Sequence, residues 1–198
     1  MIEQDLESMI HVSLIESSRL KREMAEVLIA PITEAIDILI ACIEGNHKIL
    51  CMGNGGSAAD AQHMAAELIG RFERERSPFP CMTLMADTTT LTAIGNDYGF
   101  REIFARQIEG LASRDDVIIC FSTSGESENV IRGVMKAREK GVKVIGFLGG
   151  GKSSLAKMVD LPIRVPSMRT CRIQEGHITL VHVICEALEA HFSGRTSG

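Results

Sequence analysis

Tryptophan is absent from this 198-residue chain, and tyrosine occurs once. That leaves no aromatic platform on which single-stranded nucleic acid could stack. A positive excess is missing too: 21 Lys and Arg stand against 26 Asp and Glu, a net charge of −5, which disfavours a broad nucleic-acid face. No apolar run reaches membrane-spanning length, and the acidic start MIEQDLESM lacks the form of a signal peptide. Six cysteines (Cys42, Cys51, Cys81, Cys120, Cys171, Cys185) include no CxxC pair, and several sit inside apolar runs. They read as reduced, mostly buried thiols, hence a cytoplasmic protein. Internal repeats, linkers and low-complexity segments are also lacking.

What is present is core. Hydrophobic residues make up 45% of the chain, and its length suits one domain spanning 1–198. Residues 3–30 and 31–45 read as two helices, with Pro31 in the first turn of the second. They form an N-terminal helical hairpin that packs on the core or on a neighbouring subunit. Five β-prone runs follow: 48–53, 80–86, 116–122, 143–149 and 161–166. Helical stretches separate them at 57–69, 88–94, 99–113, 127–140 and 152–159, and a long helix covers 171–192 before an SGRTSG tail expected to fray. Alternation of apolar strands with helices predicts an α/β three-layer sandwich around a parallel sheet.

Two strand-to-helix loops can cradle phosphate. Gly53-Asn54-Gly55-Gly56-Ser57 follows the first strand, and Ser122-Thr123-Ser124-Gly125-Glu126-Ser127 follows the third. Such turns aim backbone N–H groups and a helix N-terminus at a bound anion. The second offers four hydroxyls in six residues, with Ser127 suited to cap the next helix. In a parallel sheet, ligands collect outside the carboxyl ends of the strands where strand order reverses. A Ser/Thr-rich turn alone would be unremarkable chemistry, but the pairing points to an enzyme of small phosphorylated molecules.

Two glycine patterns are decoys. Gly53 to Ala58 matches GxGxxA, but the acidic residue a dinucleotide would need is poorly placed, Asp87 lying too far along. Gly146 to Ser153 matches GxxxxGK[ST], yet Gly146 falls inside the expected strand and no acidic Mg²⁺ partner follows.

His63 and Glu67 share one helix face behind the first loop, and Gln174 and His182 lie eight residues apart on the last helix. His11, His47, His177 and His191 read as packing or surface residues. The runs GNGGSAADAQHMAAEL, TAIGNDYGF, STSGESENVI and RIQEGHITLVH resemble, in order and over nearly the whole chain, the sedoheptulose 7-phosphate (phosphoheptose) isomerase family. The resemblance implies an SIS-domain fold with flavodoxin-like winding, and a homotetramer with active sites between subunits. It implies exchange of sedoheptulose 7-phosphate with D-glycero-D-manno-heptose 7-phosphate, leading to the ADP-heptose of lipopolysaccharide core. Carried over by motif, sugar contacts fall on Asn54, Gly55, Gly56, Asn96 and Asp97, with Glu67 and Gln174 also at the substrate. Phosphate contacts fall on Ser122, Thr123, Ser124 and Ser127, with Ser57 added. The acid/base pair falls on Glu67 and His182, and a weakly held zinc on His63, Glu67, Gln174 and His182. Some members carry Asp where this chain has Cys171.

An aldose–ketose isomerase moves a proton between neighbouring carbons through an enediol, so it needs a base and a proton donor or carbonyl polariser. Glu67 suits the first role and His182 the second. Eight helical residues span about 12 Å, so Gln174 and His182 are expected to serve opposite ends of a site, or to come from different subunits. Two rivals are an isomerase of another sugar phosphate and a catalytically inactive adaptor of the replication-initiation type; the latter lacks the catalytic pair that Glu67 and His182 supply here.

Overall fold

The computed structural model describes residues 2–193. Five parallel strands form one sheet in the order β2-β1-β3-β4-β5: β1 Ile49–Gly53, β2 Cys81–Thr83, β3 Val117–Ser122, β4 Lys143–Gly149 and β5 Leu161–Val165. Strand order reverses between β1 and β3, the switch point of a flavodoxin-like winding. The two strands pair in register from Ile49↔Val117 to Gly53↔Phe121, so the loops beginning at Asn54 and Ser122 leave the sheet side by side.

Side-chain alternation explains why the strands are apolar throughout. Ile49, Cys51, Val117, Ile119 and Phe121 enter one core with α1 (Ile2–Val27), α2 (Ile29–Glu44), α3 (Gly56–Ile69) and α7 (Thr170–Ser193). Leu50, Met52, Ile118 and Cys120 enter the other with α5 (Ile103–Leu111) and α6 (Glu128–Glu139), and partly buried residues of α4 (Thr88–Tyr98) join them. The inner strands β1 and β3 are thus buried on both faces, as a covered parallel sheet requires, whereas Met82 of β2 and Arg164 of β5 on its edges are exposed.

Some elements differ from their expected extents. The first two helices meet without a turn: Leu28 N–H reaches Met24 O and Ile32 N–H reaches Leu28 O, so helical bonding runs through the junction. The pair is a bent rod, consistent with Pro31, which has no N–H to give to the preceding turn. Leu20, Met24, Ala35 and Leu39 join the core, whereas Leu6, Met9, Ile10, Val12 and Leu14 are exposed. The run 80–86 yields only a three-residue edge strand, and Asp87 caps α4 by accepting from Thr89 N–H at 2.9 Å. Residues 99–113 split: Gly99, at φ +87°, ends α4, and a 3₁₀ turn at Phe100–Glu102 precedes α5. The expected helix at 152–159 shrinks to a 3₁₀ turn, Leu155–Lys157. The tail expected to fray falls, beyond Ser193, outside the described residues. No helix among them is long and apolar enough to cross a membrane.

Candidate active site

The first loop is shaped by glycines. Gly55 caps α3 at φ +55°, a region L side chains avoid, and a Cβ on Gly56 would lie 2.2 Å from Gln174 Nε2. The turn therefore presses directly against α7. Ser57 is buried at its base. Asn54 exchanges two hydrogen bonds with Asn129, its Nδ2 donating to Asn129 Oδ1 at 2.8 Å and its Oδ1 accepting from Asn129 Nδ2 at 2.9 Å. Asn129 opens α6, so this amide pair locks the two loops together.

In the second loop, the Ser122 hydroxyl accepts from Gly125 N–H at 3.0 Å and that of Ser124 from Glu126 N–H at 3.2 Å. Each accepts through a lone pair and keeps its O–H for a ligand oxygen. Ser127 stands at the N-cap of α6, but its side chain makes no capping bond, and Thr123 is likewise uncommitted. The Glu126 carboxylate anchors the loop from outside through Ser154 N–H at 2.6 Å and its hydroxyl at 2.8 Å. The loop thus presents hydroxyls and a helix N-terminus, an anion-binding composition. The neighbouring Gly146–Ser153 string is no nucleotide loop, since only a single 3₁₀ turn follows it.

Behind the loops α3 and α7 run side by side. Glu67 Oε1 lies 3.1 Å from His63 Nε2, which lies 3.3 Å from His182 Nε2. His63 therefore bridges the two residues expected to exchange protons, a role its sequence position did not disclose. The rings of Phe72 and His182 are 5.5 Å apart between centroids. Gln174 stands against Gly56, which lies two turns before His63 on α3.

Of the residues expected to hold zinc, His63 contacts both Glu67 and His182, and Gln174 meets the turn at Gly56. Among the described residues no three His, Cys, Asp or Glu side chains form a group that could hold a metal ion as placed. Asn96 and Asp97 lie exposed near the end of α4, with Asn96 Nδ2 donating to Asp97 Oδ1 at 2.8 Å. Cys171 is exposed in the first turn of α7.

Three further residues, Asp60, Arg76 and Glu189, escaped the reading of the sequence, and His177, read there as packing or surface, is packed. His177 is fully buried between Phe121 and Phe147, with Nδ1 3.9 Å from Asp60 Oδ2 and no hydrogen bond on either nitrogen. Burial pushes the His177 imidazole down to about 4, and pushes the Asp60 carboxyl up to about 6 against the pull of His63. Arg76 and Glu189 form a buried ion pair, Nε to Oε1 at 3.2 Å. The short offset of Asp60 from His63 was the one available signal for the first pair. For the second there was none, because 113 residues separate its partners (189 − 76).

A family model described as SIS domain matches residues 14–149. The phosphoheptose isomerase of Geotalea daltonii is 46% identical over 191 residues, covering 96% of this chain and 97% of its own. That of Geobacter sulfurreducens is 51% identical over 170 residues, covering 86% and 88%. Among solved structures, a phosphoheptose isomerase from Neisseria gonorrhoeae superposes with a TM-score of 0.89 at 40% identity, covering 93% of this chain and 99% of that one.

Proposed function

The chain belongs to the phosphoheptose isomerase family of SIS-domain proteins, and we propose that it converts D-sedoheptulose 7-phosphate to D-glycero-D-manno-heptose 7-phosphate through an enediol. One observation carries the reading: Glu67, His63 and His182 stand in a contact chain across α3 and α7. Glu67 takes the proton from the carbon that carries it, and His182 delivers one to the oxygen or carbon on the other side. His63, touching both, holds them in register. Hydroxyls of Ser57, Ser122, Thr123, Ser124 and Ser127 hold the phosphate, while Asn54, Gly55, Gly56, Gln174, Asn96 and Asp97 receive the sugar. Fixing the anionic end far from the reacting carbons supplies orientation that the chemical step then exploits.

The reaction opens the route to ADP-heptose for lipopolysaccharide core. A homotetramer, with sites completed between subunits, is supported by the exposed apolar residues of α1 and by the exposure of Asn96 and Asp97. A cytoplasmic setting is supported by the six free thiols. The test is aldose–ketose exchange assayed with sedoheptulose 7-phosphate. Glu67→Gln is expected to fold and to lose at least ~10²-fold in kcat, the scale of acid/base catalysis. A variant as fast as wild type would remove Glu67 from the reaction.

A further inference from the structure

The segment between α3 and β2, RFERERSPFP at 71–80, is rich in charge, yet only Arg76 among its charged residues is buried. Its guanidinium grips the end of α3: Nη2 donates to Glu67 O at 2.7 Å, and Nη1 donates to Leu68 O at 2.9 Å and to Ser77 O at 3.0 Å. The same group lies 3.9 Å from the Phe79 ring centroid and pairs through Nε with Glu189 of α7. Glu189 in turn accepts from three successive backbone amides, Phe72 at 2.7 Å, Glu73 at 2.9 Å and Arg74 at 2.8 Å. Burial would raise its carboxyl, but those amides and Arg76 hold it below the usual range. The amide of Phe72 is thus fixed in the residue whose ring packs against His182.

We infer that Arg76 and Glu189 are positioning residues of the isomerase, a buried strap that fixes Glu67 through its carbonyl and His182 through Phe72. The inference rests on the roles proposed for Glu67 and His182. An apolar pair would fill the same space at lower desolvation cost. It could not hold two helix-end carbonyls and three loop amides at set points. Carbonyls at a helix end are ordinarily met by water or a local cap; here Phe79 N–H also reaches Leu68 O at 3.0 Å, and the cation on Glu67 O is tied to the neighbouring helix that carries His182. A displacement of the base by about 1 Å is enough to cost on the order of 10²-fold in rate.

The test is steady-state kinetics on sedoheptulose 7-phosphate for Arg76→Lys and Arg76→Ala, the first also combined with Glu67→Gln, with thermal melts alongside. Lysine keeps the charge facing Glu189 but loses the fork on Glu67 O and Leu68 O. The expected result is a kcat at least ~10-fold lower with KM within ~3-fold, the pattern of a defect confined to the transition state. In the Glu67→Gln background Arg76→Lys should cost no more than ~2-fold, because it keeps the charge facing Glu189 and its effect passes through the missing carboxylate. Guanidinium ion should restore part of the Arg76→Ala rate. A purely structural cap would lower the melting temperature and leave kcat within ~2-fold in folded Arg76→Lys, or give losses in that variant that multiply with Glu67→Gln; either result overturns the inference. If Arg76→Ala does not fold, Arg76→Lys decides. If Glu67→Gln alone matches wild type, the roles assigned to the acid/base pair fail, and the strap's catalytic role with them.

Discussion

Asp60 and His177 meet across the α3–α7 seam, Asp60 Oδ2 standing 3.9 Å from His177 Nδ1. Their ionisations push stability in opposite directions. His177, near 6.5 when unfolded and about 4 when folded, makes the unfolded chain bind more protons, so stability is lost as pH falls from 6.5 towards 4. Asp60, 3.8 when unfolded and about 6 when folded, makes the folded chain bind more, so stability is lost as pH rises from 3.8 to 6. Wild type should show these two slopes largely cancelling between pH 4 and 6. In His177→Phe only the Asp60 contribution survives, so its melting temperature relative to wild type should fall as pH rises through that window. Asp60→Asn should show the reverse trend. Parallel melting curves for all three proteins would mean the two groups do not titrate as described. The pairing itself was not legible in the sequence. A histidine on an apolar helix face reads as packing, and here it is packed; only three dimensions reveal the carboxylate opposite.

At the level of elements, the strands were legible because alternate residues serve two cores, leaving no polar position between Ile49 and Gly53 or between Val117 and Phe121. The segment 71–80 was not, because RFERER has the composition of a solvated loop and its one buried cation is defined by a glutamate on a distant helix. The 152–159 stretch misled for a local reason: Gly149, Gly150 and Gly151 precede too few apolar residues to sustain a helix. The contact of the first loop with α7 gives a test at this scale. Gly56→Ala puts a methyl where Gln174 Nε2 now lies, and the flexible amide can move aside. The melting temperature should therefore change little. KM for the sugar phosphate should rise about fivefold, as one displaced hydrogen bond worth ~1 kcal/mol implies. An unchanged KM would take Gln174 out of the substrate contacts.

Across the whole molecule, the switch point of the sheet sets the Asn54 and Ser122 loops next to each other, and α3 carries the chain from there to His63. Seven residues separate Gly56 from His63 (63 − 56), a rise of roughly 10 Å along a helix buried against sheet and α7. A packed helix does not shorten to suit a smaller guest. The protein thus owns a fixed caliper, and sugars should be sorted by carbon count before any hydroxyl is inspected. Ketose phosphates of six and five carbons should react with kcat/KM lower by at least ~10-fold for each carbon removed, because an anchored anion leaves their carbonyl short of Glu67 and His182. Equal turnover of five-, six- and seven-carbon substrates would show that selectivity is set elsewhere.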